Sequence, residues 1–274
     1  MIKQTIRDAI RRYWYEMPRE SFRKRLEEEN SHISQFAVHT ARLLTDGVVI
    51  LPEYFQGGKL DAIRQEFEII AASLPDLAKG QISIEREFLK ASEIFSLAAI
   101  DPYILSVVAH YWGKPIYLTE WTARRIYPHK SENYGAFQYH HDTKNKQVKA
   151  MLLLTDVADD GQRMDYIRGT HGHRRSWGDY SETRFTDEDA LSLGEVLKCA
   201  GPAGTVVIFD TNGLHRGNRN LSSTRDTITA NFTAGHARFL DNGLHAHAVE
   251  LLSAKHREIF RLSAPVGDFL LRRL

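Results

Sequence analysis

Residues 201–233 read GPAGTVVIFDTNGLHRGNRNLSSTRDTITANFT. Gly201-Pro202-Ala203-Gly204 is a turn signal, and the β-branched and aromatic run Thr205 to Phe209 behind it is strand. Asp210-Thr211-Asn212-Gly213 turns the chain again, a short piece carries it through His215, and a Gly/Asn/Ser-rich connection follows. Arg225 to Thr233 then alternates polar and apolar residues, the pattern of a half-buried strand. Upstream, Val148 to Val157 (VKAMLLLTDV) is an apolar strand stopped by Asp159-Asp160-Gly161, and Ile116-Tyr117-Leu118-Thr119 begins a strand that runs through Ile126 to Tyr127-Pro128. Val48-Val49-Ile50-Leu51, closed by Pro52, is another. Short strands separated by turns, mostly without helices between them, predict a mainly β fold with flanking helices: a sandwich or closed double sheet of the jelly-roll kind.

Helices surround that region. Residues 1–45 carry apolar positions at helical spacing, among them Ile2, Ile6, Ile10, Tyr13, Phe22, Leu26, Phe36 and Leu44, until Asp46-Gly47 breaks the pattern. Behind Gly57-Gly58, one helix presents Leu60, Ile63, Phe67, Ile70 and Ala71 on one face, and another is expected over about 97–112, stopping at Gly113 and Pro115. The tail from about Ala248 is helical, with Leu251, Leu252 and Ile259 on one side. The expected organisation is one domain over 1–274: N-terminal helices to 45, a core region with the jelly roll over 46–240, and a C-terminal helical segment over 241–274.

Composition narrows the function. With 36 basic and 35 acidic residues the net charge is +1, without the basic excess of a dedicated nucleic-acid binder. The single cysteine, Cys199, excludes an intramolecular disulfide and any multi-cysteine zinc cluster, and fits a reducing compartment. The N-terminus, MIKQTIRDAIRRYWYEM, is no secretory signal, and no stretch is read as the roughly 18 uncharged apolar residues of a membrane span. A soluble cytoplasmic protein is expected.

The chemistry is concentrated in Tyr139-His140-His141-Asp142 and, far downstream, Gly213-Leu214-His215-Arg216. An iron(II) that handles O2 outside haem takes two imidazoles and one carboxylate on one face and keeps the opposite face open. His140 and Asp142 are two apart, so on an extended strand both point the same way. His215 follows a strand and turn, where a returning strand of a sandwich can bring it opposite. By itself His-x-Asp is weak, since thirteen histidines give about one such triplet by chance. His141 is the rival partner, but neighbours on a strand face opposite ways, so His140 and His141 chelate poorly together. Ten residues after His215 stands Arg225, opening an otherwise apolar strand. A guanidinium there suits the distal carboxylate of 2-oxoglutarate, to which it offers a permanent, two-pronged cation. Taken alone, Arg225 reads as a surface arginine or as paired with Asp226. The ordered set His140, Asp142, His215, Arg225 is far less accidental than any member.

These residues resemble the phytanoyl-CoA dioxygenase-like (PhyH) branch of the iron(II)/2-oxoglutarate oxygenases. Thr45 to Pro52 (TDGVVILP) looks like the family's opening strand, and Tyr139 to Asp142 matches its aromatic-His-x-Asp block. Met151 to Val157, Gly161 and Tyr166 to His171 (YIRGTH) are similar to the next strand and its Gly-Ser-His turn. Gly201 to Phe209 with His215 resembles the distal-histidine block, with Arg225 at the expected spacing; the likeness covers roughly 45–235. It implies a double-stranded β-helix core, iron ligands and catalytic residues His140, Asp142 and His215, Arg225 on 2-oxoglutarate, and O2 as the oxidant. The chain departs from the pattern at Gly217, where a small hydroxyl residue is usual, so Thr227 or Thr229 on the Arg225 face is the substitute second contact. Gly161-Gln162 stands for Gly-Pro, and Arg168 where proline is common. Related halogenating enzymes have lost the carboxylate ligand; Asp142 therefore points to hydroxylation, or to desaturation or ring closure.

The substrate is expected to be a small molecule. Arg163, Arg168, His171, His173, Arg174, Arg175, Arg216 and Arg219 gather in two loops, read either as a rim for an anionic or polar substrate or as solvated loop charges. Trp121 and Trp177 read as packing residues with a pocket as the alternative, and Arg125 as half of a structural ion pair. Two rival functions use the same residues: a β-sandwich that binds metal or a small molecule without catalysis, and a zinc hydrolase. Neither would release succinate in an O2-dependent way.

Overall fold

The computed structural model describes residues 19–73, 81–84, 91–128, 137–142, 146–176, 184–218, 223–234 and 244–259. Its strands are β1 (Val48–Leu51), β2 (Gln81–Ile84), β3 (Ile116–Ile126), β4 (Val148–Leu153), β5 (Met164–Ile167), β6 (Val196–Cys199), β7 (Val206–Asp210), β8 (His215–Gly217) and β9 (Arg225–Ala234). Six form one antiparallel sheet in the order β1-β7-β4-β9-β3-β2, and three form a second in the order β6-β5-β8. Isolated bridges His140↔His215 and Tyr139↔Phe185 extend the second sheet beyond β8. The two sheets face each other as a jelly roll, the double-stranded β-helix anticipated from the strand and turn pattern.

Alternation decides what each face of the large sheet meets. Val148, Ala150 and Leu152 of β4, with Ile228, Ala230 and Phe232 of β9, pack into the large apolar core beneath the helices. Met151, Leu153, Val207 and Phe209 point the other way and meet Met164, Tyr166 and Cys199 of the second sheet. The Arg225–Thr233 alternation therefore separates two covered faces: its polar side is no solvent face, because Thr227 and Asn231 are buried inside the roll. One strand boundary also moves. The apolar run from Val148 stops pairing at Leu153, and Val157 instead forms a separate bridge with Gly201. β5 and β6 add to the strands expected from the sequence pattern.

The helical layer comprises α1 (Glu20–Glu29), α2 (Phe36–Asp46), α3 (Gly57–Ser73), α4 (Glu93–Ala99) and α5 (Pro102–Trp112). α3 buries Leu60, Ile63, Phe67 and Ala71, the stripe read from the sequence. The single helix expected over 97–112 is two. Asp101 caps the second one, accepting from the backbone N–H groups of Tyr103 and Ile104, with Pro102 at the first helical position. The span Glu93–Trp112 is long and apolar enough for a membrane helix, although it carries Glu93 and Asp101 and so is not an uncharged run, and 78% of its apolar window is buried in this core. Two short helices close the described chain, Ala246–Glu250 and Ala254–Ile259. Residues 1–18 and 260–274, including the first turns of the predicted N-terminal helices and the end of the tail, lie outside the described residues.

Gly47 ends α2 in the left-handed region (φ 78°), donating to the Leu43 carbonyl and turning the chain into β1. A Cβ there would run into the ring of His171 and the hydroxyl of Tyr166. Gly47→Ala is expected to lower unfolding stability by about 2 kcal/mol or more, about 1–2 from the left-handed backbone and the rest from the collision. Urea unfolding of the two proteins measures this.

Candidate metal centre

His140 and His215 form a narrow antiparallel pair: each backbone N–H donates to the other's carbonyl, at 3.0 and 2.9 Å. Directly opposed residues carry their side chains on the same face, so the pairing itself delivers two imidazoles to one place. Asp142, two residues on, shares that face, and its N–H donates to the Thr211 carbonyl at 3.0 Å. The potential donor atoms of His140, Asp142 and His215 all lie within 4.8 Å of one another. Asp142 Oδ1 stands 3.5 Å from His140 Nε2 and 3.4 Å from His215 Nε2. Ligands about 2.1 Å from an ion and at right angles to one another stand about 3 Å apart, so this spacing suits an ion between them.

Both rings are oriented from behind. His140 Nδ1 faces the Gln138 carbonyl at 2.8 Å and His215 Nδ1 faces the Gly213 carbonyl at 2.9 Å. A carbonyl only accepts, so each Nδ1 carries the hydrogen and each Nε2 is left as the lone-pair donor. Burial lowers the pKa of His140, assisted by the charge of His215. Burial alone would raise the Asp142 carboxyl. When the Nε2 atoms are protonated, the charge of His215 and hydrogen bonds from His140 and His215, with the charge of Lys149, outweigh it and hold Asp142 well below the usual carboxylate range. A neutral imidazole and an ionised carboxylate are the protonation states that ligate.

The turn before His215 is built for this placement. Asp210 Oδ1 accepts from the Asn212 backbone N–H (2.8 Å) and side chain (3.0 Å), while Oδ2 accepts from the Tyr111 hydroxyl of α5 at 2.5 Å. The Tyr166 hydroxyl donates to the Asp210 carbonyl at 2.9 Å and its ring stacks on His215, centroids 6.3 Å apart. Gly213 has to be glycine, because a Cβ would meet the Tyr166 ring and hydroxyl. On the far side of the strand pair, the Arg216 guanidinium lies 4.2 Å over the Tyr139 ring. Arg216 also reaches Asp165 Oδ2 (3.4 Å) and Asp187 Oδ1 (2.6 Å), clamping the two ligand-bearing strands together.

His141 points away from the three donors, as its place in the strand requires. Its ring packs edge-on toward Phe185, and burial, then the charges of His215 and His140, push its pKa down to about 4. Arg225 sits at the start of β9 on the inner face shared with Thr227, Thr229 and Asn231. Its Nη1 donates to the Gln162 carbonyl at 2.6 Å and its Nε is buried without a hydrogen-bond partner. The alternative pairing of Arg225 with Asp226 is overturned: Asp226 faces the other way and takes both Arg125 Nε (2.9 Å) and Nη2 (2.8 Å). Arg125 is thereby the structural ion-pair residue expected, with Glu68 as a second partner at 2.5 Å. Burial without an acidic partner, together with the nearby charge of Arg124, brings the Arg225 pKa down to about 10.

The loop charges are spoken for where they are described. Arg163 pairs with Asp165 at 2.7 Å, Arg216 with Asp165 and Asp187, and Arg168 lies 3.7 Å from Glu195 at the surface. His171 packs beneath the site, its Nε2 3.2 Å from the Leu44 carbonyl. Trp121 is a core residue. Trp177 and Arg219, and the side chains of Arg174 and Arg175, lie outside the described residues. Sequence reading missed Lys149, whose Nζ is 2.6 Å from Asp142 Oδ2, and Tyr166 behind His215. The signal for Lys149 was present, a lone charge inside an apolar strand.

The donor set fits iron(II): two imidazole nitrogens from a bridged pair of residues and one carboxylate oxygen two residues on, all on one side. Comparison with known proteins agrees with this chemistry. The chain is 24% identical over 230 residues to ectoine dioxygenase of Stutzerimonas stutzeri (strain A1501), covering 71% of this chain and 74% of that protein. Among solved structures, the epimerase SnoN in complex with Fe3+, alpha ketoglutarate and nogalamycin RO is similar with a TM-score of 0.57 at 16% identity, covering 85% of this chain and 96% of that one. EctD from S. alaskensis with 2-oxoglutarate and 5-hydroxyectoine gives 0.55 at 18% identity, covering 84% and 85%. Residues 43–227 match the phytanoyl-CoA dioxygenase (PhyH) family, well over half of the chain. The chain belongs to the phytanoyl-CoA dioxygenase (PhyH) family of iron(II)- and 2-oxoglutarate-dependent oxygenases.

Proposed function

We propose that this protein is a soluble, cytoplasmic, single-domain dioxygenase that hydroxylates a small polar metabolite or biosynthetic intermediate, with His140, Asp142 and His215 as iron(II) ligands and Arg225 and Thr227 as the 2-oxoglutarate contacts. The observation that carries it is the convergence of the three donor atoms within 4.8 Å from strands far apart in sequence. Bound iron(II) supplies activation of O2 coupled to oxidative decarboxylation of 2-oxoglutarate to succinate and CO2. The protein does the rest. His140, Asp142 and His215 hold the ion from one side and leave the other to co-substrate and oxygen. Arg225, partly buried, with its Nε buried and no carboxylate partner among the described residues, offers its fork to the distal carboxylate of the diacid. Thr227, the next residue on that face, supplies the hydroxyl that Gly217 cannot. Met151, Leu153, Val207 and Phe209 line the interior and keep water from the reacting atoms.

The retained carboxylate ligand supports hydroxylation, and the acidic partners of Arg163, Arg168 and Arg216, the loop arginines whose side chains are described, support a polar substrate over a strongly anionic one. The ligands named with the similar structures, nogalamycin RO and 5-hydroxyectoine, are small organic molecules, which favours the same class.

Anaerobic addition of iron(II) and 2-oxoglutarate is expected to give a visible charge-transfer band, and admission of O2 to release succinate. His140→Ala, Asp142→Ala and His215→Ala should each lose both; a variant that keeps full succinate release removes that residue from the centre. A second expectation concerns the diacid. Arg225→Ala should raise the 2-oxoglutarate concentration for half-maximal absorbance roughly 30- to 100-fold, corresponding to about 2–3 kcal/mol for a charge-assisted pair. Arg225→Lys should fall between, keeping charge without the fork. Thr227→Val should cost about threefold to tenfold, the worth of one ordinary hydrogen bond.

A further inference from the structure

Lys149 is the one charged residue in VKAMLL, the sequence of β4. It stands on the inner face, opposite Asn231 of β9 and Phe209 of β7. An ammonium on that wall, beside Met151 and Leu153, is costly unless it is paired. Its partner is the carboxylate of the metal centre: Nζ lies 2.6 Å from Asp142 Oδ2. The two oxygens of Asp142 are thus divided. Oδ1 faces the Nε2 atoms of His140 and His215 at 3.5 and 3.4 Å, and Oδ2 is taken by the lysine. Phe209, across from Lys149 on β7, packs its ring against His215 with centroids 5.4 Å apart.

A carboxylate can hold a metal through one oxygen or through both. Holding through both would occupy a position that the diacid or O2 requires. We propose that Lys149 is a positioning residue that keeps Asp142 a one-oxygen ligand by holding Oδ2 away from the metal. This rests on the reading of His140, Asp142 and His215 as metal donors. A lysine that merely neutralises a desolvated carboxylate would affect the stability of the metal-free protein and leave coordination alone.

The test titrates metal-free wild type, Lys149→Met and Lys149→Arg anaerobically with cobalt(II), reading affinity and the visible ligand-field spectrum, alongside melting temperatures without metal. Lys149→Met should weaken cobalt binding about 10- to 100-fold, the usual effect of removing a partner that orients a ligand. Its spectrum should shift to the weaker absorption of a higher coordination number as Oδ2 joins the metal. Lys149→Arg, which still donates to the carboxylate, should keep the wild-type spectrum and lie within about threefold of its affinity. Lys149→Leu, which carries no hydrogen-bond donor, should behave like the methionine variant and carries the test if that one does not fold. Wild-type affinity and spectrum in either folded neutral variant overturn the proposal, whatever happens to the melting temperature; so does tighter binding. Failure of the wild type to bind cobalt overturns the metal-centre reading itself, and this proposal with it.

Discussion

A pair of backbone hydrogen bonds between His140 and His215 is what the rest of the site depends on. Everything chemical in the protein requires those two strands to meet in one register, because a slip of one residue would turn one imidazole to the face opposite the other. The structure spends much of its polar network on preventing that slip. Tyr166 buttresses the His215 ring from β5, Asp210 freezes the preceding turn, and Arg216 bridges to Tyr139 across the back. None of these groups need touch a substrate. Their work is to remove freedom from two rings before any ion arrives, so that little ordering remains to be done on binding.

The two sheets divide their labour. The six-stranded sheet is anchored by the helical layer, whose α5 is buried on nearly every side, and it supplies a stiff wall bearing Lys149, Thr227 and Arg225. The smaller sheet is short: its β8 carries His215, bridged to His140, and its β5 and β6 contribute Met164, Tyr166 and Cys199 to the apolar layer between the sheets. The candidate metal centre therefore lies at the seam between the two sheets. Asp210 joins the two, since its carboxylate binds Tyr111 of the helical layer while its backbone carbonyl binds Tyr166 of the smaller sheet.

How much of this was legible beforehand follows from the range of the forces involved. Strand β7, most of β3 and the stripe on α3 are written in local patterns of two and 3.6 residues, and they read correctly. The His-x-Asp pair was legible because a strand fixes the relation of i to i+2. The break at Asp101 was missed although Asp-Pro is a helix-start signal, because the surrounding apolar run outweighed it. Pairings across long stretches of chain left no local trace: nothing near Asp226 announces that Arg125 rather than Arg225 is its partner, and nothing near Lys149 names Asp142. Those partners are set by the register of β3, β4 and β9, which only the folded sheet supplies.

Cys199 ends β6 inside the roll, fully buried, and burial drives its thiol pKa far upward. Thiol oxidation and alkylation proceed through the exposed thiolate, and this sulfur is neither exposed nor ionised. A protein that admits O2 to a redox-active ion runs a standing risk of damaging its own soft side chains. Here the only sulfhydryl is sealed in apolar packing, so prolonged turnover and reactive electrophiles should spare it.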